Sequence, residues 1–283
     1  MEQILPITLY IPCYNAEPFL DRVLPAVKVQ TYPIARTFIV DDGSTDRTAE
    51  IAEHHGIEIV RHDVNRGLGA ARNTAIHAAD TEYVACLDAD VVPHPDWLER
   101  LVPNLRDADF VGASGKLHET VLDTVADRWR DAHMRQSWGD ERLEEPDFLY
   151  GNNGLYRKDA LVGAGLYDEA CRTNGEDVTM TAQLREQRKR VVYDPTAECD
   201  HLRFDDTPSI CRTFWNWHFY DQDWSDPVSL RNVRARARRH LAKEFLPADW
   251  KARRYELVAL DLYMYVNWRW KAWRTHRRAR ASG

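Results

Sequence analysis

Along residues 4–115 the apolar positions alternate between two periods. Residues 4–11, 36–41, 57–62 and 82–87 are short apolar, β-rich runs of strand length, whereas 17–30 and 69–79 carry helical spacing. Leu20, Val23, Leu24 and Val27 fall on one face of the first of these helices. Between the second and third strands, Ser44 or Thr45 can cap a helix that stops at Gly56. This βαβα order predicts an α/β fold, a mostly parallel sheet flanked by helices. Ligands of such sheets bind beyond the carboxyl ends of the strands, which directs attention to the polar residues that close each strand.

Beyond Leu117 the pattern loosens. A helical, Trp-bearing stretch is predicted over 119–138, a turn at Gly151-Asn152-Asn153-Gly154 before a short strand at 155–157, a helix from Glu176 and a strand at 190–193. The aromatic segment 214–224 then leads into a tail of opposite charge. Residues 231–283 hold 15 Lys/Arg against 4 Asp/Glu, a net +11, which leaves residues 1–230 with 23 against 41, or −18. The expected division is one domain over 1–230 and a basic, Trp-rich helical extension over 231–283. A nucleic-acid partner is excluded, because the arginines are dispersed and the acidic body repels phosphate backbones.

Hydrophobic residues make up 44% of the 283, with ten Trp, which is ample material for a packed core. No apolar run reaches the length of a membrane span, and the first residues do not read as a secretory signal. The five cysteines are widely spaced and form no C-x-x-C pair, so neither a disulfide framework nor a zinc ribbon is expected. A reducing cytoplasm is the expected location, either free or at the inner face of the membrane. In the tail, 255–273 is apolar almost all round and flanked by cations. Such a helix packs on the protein body or a second subunit, as in a homodimer, or lies in the interface of an anionic membrane.

Several strand ends carry carboxylates. Asp41-Asp42-Gly43-Ser44 closes the second strand, where carboxylates can bond a base or a ribose, although the same residues also make ordinary turns and caps. Asp88-Ala89-Asp90 closes the fourth, where one carboxylate can hold ribose and the other a hard divalent cation. Gly67-Leu68-Gly69-Ala70-Ala71-Arg72 imitates a dinucleotide fingerprint, but Arg72 stands where the third glycine belongs and the strand before it is not the first. A helix start there can face a diphosphate, with Arg66 or Arg72 adding charge. Asp177, in the first turn of its helix, can act as a general base, and His201 can offer an imidazole to the cation.

In this order the motifs resemble the family-2 inverting glycosyltransferases of GT-A fold. The residues that carry the likeness are Tyr10-Ile11-Pro12-Cys13-Tyr14-Asn15-Ala16-Glu17, Asp41-Asp42-Gly43-Ser44-Thr45-Asp46, Asn65-Arg66-Gly67 with Ala71-Arg72-Asn73, Asp88-Ala89-Asp90 and Glu176-Asp177. The resemblance covers residues 4–203. It implies a nucleotide-sugar half over about 1–115 and an acceptor half over about 116–230. Pro12 and Tyr14 would flank the base, with Asn15, Glu17, Asp41, Asp42, Arg66 and Arg72 around the nucleotide and Asp88 at the ribose. Asp90 and His201 would hold Mg²⁺ or Mn²⁺, and Asp177 would be the catalytic base.

On the acceptor side the resemblance points to Asn152, Asn153 and Glu176, and Trp215 and Trp217 are added as rings on which a sugar can stack. The donor implied is a nucleoside diphosphate sugar, with uridine taken as the base, and the acceptor a hydroxyl on a glycan, a lipid-linked glycan or a protein. Gly165-Leu166-Tyr167-Asp168-Glu169 departs from the usual G-G-F-D-E, and no Q-x-x-R-W follows Asp177, which argues against a processive synthase. Two other readings remain. A sugar nucleotidyltransferase needs a glycine-rich basic loop after the first strand, and residues 12–19 contain no glycine, arginine or lysine. A non-catalytic glycan- or nucleotide-binding module would have lost a carboxylate from the Asp90/Asp177 set, and both are present.

Overall fold

A computed structural model describes residues 4–219 and 226–281. The chain divides into two compact units, residues 1–120 with 136–203 and residues 121–135 with 204–283.

The first unit is a sheet sandwiched by helices. Strands β1 (Ile7–Cys13), β2 (Arg36–Asp41), β3 (Glu58–Arg61) and β4 (Tyr83–Leu87) alternate with α1 (Glu17–Lys28), α2 (Thr48–His54) and α3 (Leu68–Ala78). These four strands run parallel in the order β3-β2-β1-β4. The sheet then turns mixed. β5 (Val91–Pro93), α4 (Trp97–Arg106), β6 (Phe110–Glu119), β7 (Leu143–Glu144), β8 (Asn153–Arg157), α6 (Lys158–Ala164), α7 (Glu176–Glu186) and β9 (Arg190–His201) complete the unit. β8 lies antiparallel between β4 and β6, β6 and β9 are parallel, and β5 pairs antiparallel with β9. Two apolar cores fill the two faces, one around Leu20, Leu24, Trp97 and Leu101, the other around Phe38, Ile76, Tyr156 and Leu184.

Three expectations shift here. The stretch 119–138 is not one helix, because Glu119 ends β6 and only Val125–His133 is helical. The strand expected at 190–193 runs on to His201, past Pro195. Ser44 and Thr45 cap nothing, since α2 starts at Thr48 and both residues face the chain at Asn15 instead.

The second unit is helical. It contains α5 (Val125–His133), α8 (Thr207–Phe219), α9 (Pro227–Ala237), a π-helical turn at Arg238–Phe245, α10 (Leu246–Lys251) and α11 (Tyr255–Ala281). A capping box between Thr124 and Asp127 starts α5. The core is aromatic: Trp129, Phe214, Trp215, Phe219 and Trp268 are buried, with the Phe214 and Trp268 rings stacked at 4.8 Å. Tyr220 and Trp224 of the aromatic segment lie outside the described residues. From α11, Leu257, Leu260, Met264, Trp268 and Ala272 join this core, which uses one side of the helix.

Candidate active site

The site forms where β4, β6 and β9 end and β5 and β8 begin, and strand register explains its first feature. After Leu87 the chain turns tightly, with Val91 N–H donating to Asp88 O at 3.1 Å, and enters β5. Val91 faces His201 across the β5–β9 pair, and Leu202 N–H donates to Asp90 O at 2.8 Å. These bonds bring His201 Nε2 to 3.4 Å from Asp90 Oδ2. On the other side of β9, Glu119 is the register partner of His201, and both its carboxylate oxygens lie 3.0 Å from Nδ1. Asp90, His201 and Glu119 therefore form a line, carboxylate to imidazole to carboxylate.

The electrostatics of that line follow from its geometry. Burial works against a charged ring, but Asp90 and Glu119 outweigh it and push His201 up to about 9. Burial alone would raise Asp90, and the His201 ring instead holds that carboxyl below its ordinary value. With Nδ1–H committed to Glu119, Nε2 can present a lone pair beside Asp90 once its proton is displaced. One carboxylate and one imidazole, its far nitrogen fixed by a carboxylate, is a donor set that suits a divalent cation. Glu119 belongs to none of the sequence motifs, and only the β6–β9 register sets it against His201. The D-x-D motif gave no pointer to a third carboxylate.

Arg72 provides the second feature. Its side chain is 1% exposed, its Nη2 donates to Asp88 Oδ1 at 2.9 Å and its Nε to Glu176 Oε1 at 3.3 Å, while Nη1 contacts Cys86 Sγ. The fingerprint-like segment thus delivers a cation, from the first turns of α3, to two carboxylates from separate motifs. Burial pushes Asp88 up despite Arg72, and it pushes Glu176 up to about 7, with Glu176 Oε2 buried and unpaired.

Asp177 follows Glu176 in the first turn of α7, after Gly175 in the left-handed region. Its Oδ2 accepts from Gly151 N–H at 3.0 Å and its Oδ1 from Val178 N–H at 2.8 Å. Burial raises its pKa, partly offset by those two N–H groups and by Arg72. A side chain at Gly151 would crowd the site, since a Cβ would stand 3.1 Å from Arg72 Nη2 and 3.2 Å from Asp177 Cβ and one of them would have to give way. Next along the chain, Asn152 O accepts from Asp88 N–H at 2.9 Å, and Asn153 Oδ1 accepts from Gly115 N–H at 2.7 Å. Both asparagine side chains are buried and bond each other.

The carboxylates after β2 are occupied within the fold. Asp41, fully buried, accepts from Ser44 N–H and from Arg61 Nε, each at 2.9 Å. Asp42 accepts from Arg66 N–H at 2.8 Å and Gly67 N–H at 2.7 Å and contacts His62 Nδ1 at 2.6 Å. They set the loops on which other candidates stand. Pro12 pairs with Val40 inside the sheet, while Tyr14 is 53% exposed just beyond it. Asn15 and Glu17 tie this loop to 44–48: Asn15 Oδ1 accepts from Thr45 N–H at 2.9 Å, and Glu17 Oε1 from Arg47 Nε at 2.9 Å. Arg66 pairs at the surface with Glu169, 3.3 Å away. Trp215 and Trp217 belong to the second unit, where Trp215 is buried beneath Lys271 and Trp217 packs against the aromatic core.

A sheet with parallel β1–β4, the antiparallel β8 and carboxylates at the strand ends is the architecture of a GT-A glycosyltransferase. The family description "Glycosyl transferase family 2" matches residues 8–163, and the chain belongs to that family. Among curated relatives, it is 36% identical over 186 residues to "Glycosyltransferase AglE" of Haloferax volcanii, covering 62% of this chain and 60% of that protein. It is 27% identical over 208 residues to the poly-beta-1,6-N-acetyl-D-glucosamine synthase of Staphylococcus epidermidis, covering 70% of this chain and 50% of that one. The matches thus span only half to three-fifths of these relatives. Two solved structures share the fold: the mannosyltransferase PcManGT from Pyrobaculum calidifontis in complex with GDP-Man and Mn²⁺, and GalNAc-T7 with UDP, GalNAc and Mn²⁺. The first has a TM-score of 0.58 and 21% identity over 98% of this chain and 74% of its own, the second 0.60 and 16% over 82% and 51%.

Proposed function

We propose that the protein transfers a sugar, of hexose type, from a nucleoside diphosphate sugar to an acceptor hydroxyl, inverting the anomeric carbon and releasing the product after one transfer. The observation that carries this reading is the Asp90–His201–Glu119 line, together with a further carboxylate, Asp177, that is held separately by the Gly151 and Val178 N–H groups. Asp90 and His201 would bind Mg²⁺ or Mn²⁺, which supplies charge compensation for the leaving diphosphate. Asp177, oriented by the Gly151 N–H, takes the proton of the acceptor hydroxyl as its oxygen attacks the anomeric carbon from the face opposite the departing diphosphate. Glu176 is less suited to that role, because its side chain is 4% exposed and tied to Arg72.

Asp88 is assigned to the ribose and Tyr14, beyond Pro12, to the base. The named neighbours support a nucleoside diphosphate sugar and a divalent cation but differ in base, and uridine is our choice here. The acceptor is a glycan, a lipid-linked glycan or a protein. The test is a panel of UDP- and GDP-sugars with Mn²⁺, scored for nucleoside diphosphate release and protection against heat, with and without chelator. We expect one sugar nucleotide to give cation-dependent release. Absence of release and of protection across the panel refutes the proposal.

A further inference from the structure

The second unit leaves one side of α11 uncovered among the described residues, and its composition is unusual for a free helix surface. Leu262, Tyr263, Val266, Trp270 and Trp273 are 52%, 52%, 65%, 52% and 44% exposed. At 100° per residue these positions, with Arg269, Arg274 and Arg277, fall in one sector about 140° wide and about 22 Å long. The opposite sector carries Leu257, Leu260, Met264, Trp268 and Ala272 into the aromatic core. Core packing therefore accounts for one side of the helix and leaves the other side unexplained.

The charge along the helix selects the occupant. From Leu257 to Ala281 the only acidic residue is Asp261, and it is fully buried. Arg269, Arg274 and Arg277 lie over the rings of Tyr265, Trp270 and Trp273 at 5.3, 5.1 and 4.8 Å. None of the three forms an ion pair among the described residues. A second copy of the chain would bring the same cations face to face with no acid between them, which disfavours a symmetric dimer through this stripe. An anionic bilayer answers both halves of the pattern, since indole and aliphatic groups settle at headgroup depth while guanidinium groups reach lipid phosphate. No helix among the described residues is long and apolar enough to cross a membrane, so the contact would lie along the surface.

We infer that the exposed face of α11, centred on Val266, Trp270 and Trp273, is an interfacial docking surface for anionic phospholipid membranes. The inference is read without any sugar donor, so its outcome is separate from that of the transferase reading.

Co-sedimentation of the intact protein with vesicles of phosphatidylcholine plus phosphatidylglycerol, at low and high salt, tests it. We expect pelleting at low salt and release at high salt. Arg269→Gln with Arg274→Gln and Arg277→Gln should weaken partitioning about ten- to a hundredfold. Val266→Ser with Trp270→Ala and Trp273→Ala should abolish it. Melting of both triple variants near the wild-type temperature shows that exposed positions were changed without unfolding the unit. Protein that stays in the supernatant at low salt overturns the inference, as does equal binding to phosphatidylcholine alone. So does a concentration-dependent dimer that the aromatic variant abolishes.

Discussion

Arg72 meets Asp88 at 2.9 Å from a guanidinium that is almost wholly out of water. The two residues come from different motifs, and the pair joins the first turns of α3 to the turn after β4. The same guanidinium holds Glu176, so one cation serves two carboxylates. Removing it leaves both without their partner in a poorly solvated place. Arg72→Met should therefore cost about 3–5 kcal/mol, which lowers Tm by roughly 10 °C or more for a chain of this size. Differential scanning calorimetry checks the figure. Arg72→Lys, which keeps the charge but cannot span both carboxylates, should fall between wild type and Arg72→Met.

Asp177→Asn keeps an oxygen for the Gly151 N–H but cannot accept a proton from an acceptor. Transfer should drop about 10²–10⁴-fold while donor affinity stays within a few-fold. Single-turnover transfer and donor titration separate the two quantities. Because burial raises Asp177 and the base must be ionised, wild-type activity should fall on the acid side through a limb above the ordinary aspartate range. A variant with full activity removes Asp177 from the mechanism.

Glu119 does not face Asp90, and its role is to fix the His201 ring from behind. Glu119→Gln can still accept from Nδ1–H but contributes no charge. The concentration of Mn²⁺ giving half-maximal turnover should rise about 10–100-fold, with the maximal rate changed less. Cation titrations of rate, repeated for Glu119→Ala, measure this. An unchanged titration in both variants assigns Glu119 to the scaffold alone.

In the helical unit, Asp261 is buried with Trp129 Nε1 on one oxygen, near Asp249 and Arg254, and burial pushes it up to about 7. A carboxyl raised in the folded state binds its proton more tightly there than in the unfolded chain. Its stabilising contribution is complete below the ordinary aspartate value and is lost as the pH rises towards 7. Asp261→Asn mimics the protonated form and should remove this slope. We expect it to melt about 2–4 °C above wild type at pH 8, corresponding to ~1 kcal/mol, and to give a flatter profile between pH 4 and 8. Thermal melts across that range decide it.

The first four strands were legible because each carries a short β-rich apolar run bounded by polar turns. β9 was read only to Tyr193, because Asp194, Pro195 and Thr196 interrupt the pattern where the strand is irregular against β6. That shortfall hid the register that sets His201 against Asp90 and Glu119. Position in a motif also said little about side-chain employment. Asp41 and Asp42 stand where a base-binding carboxylate is expected, yet backbone N–H groups, Arg61 and His62 take up their oxygens. The π-helical turn at Arg238–Phe245 has no periodicity of its own that separates it from the helices on either side.

The short turn at 151–153 fixes a length. Gly151 offers its amide N–H to Asp177, and Asn152 offers its carbonyl to the amide of Asp88, so two peptide groups separated by a single one reach α7 and the turn after β4. The interval between the Asp177 carboxylate and the Asp88 backbone is thus measured by peptide units rather than by side chains. Because Asn152 contributes its backbone carbonyl, replacement of its side chain leaves that link to Asp88 in place. Insertion or deletion of a single residue in that turn changes the gauge itself, because the two links are set by their separation along the backbone.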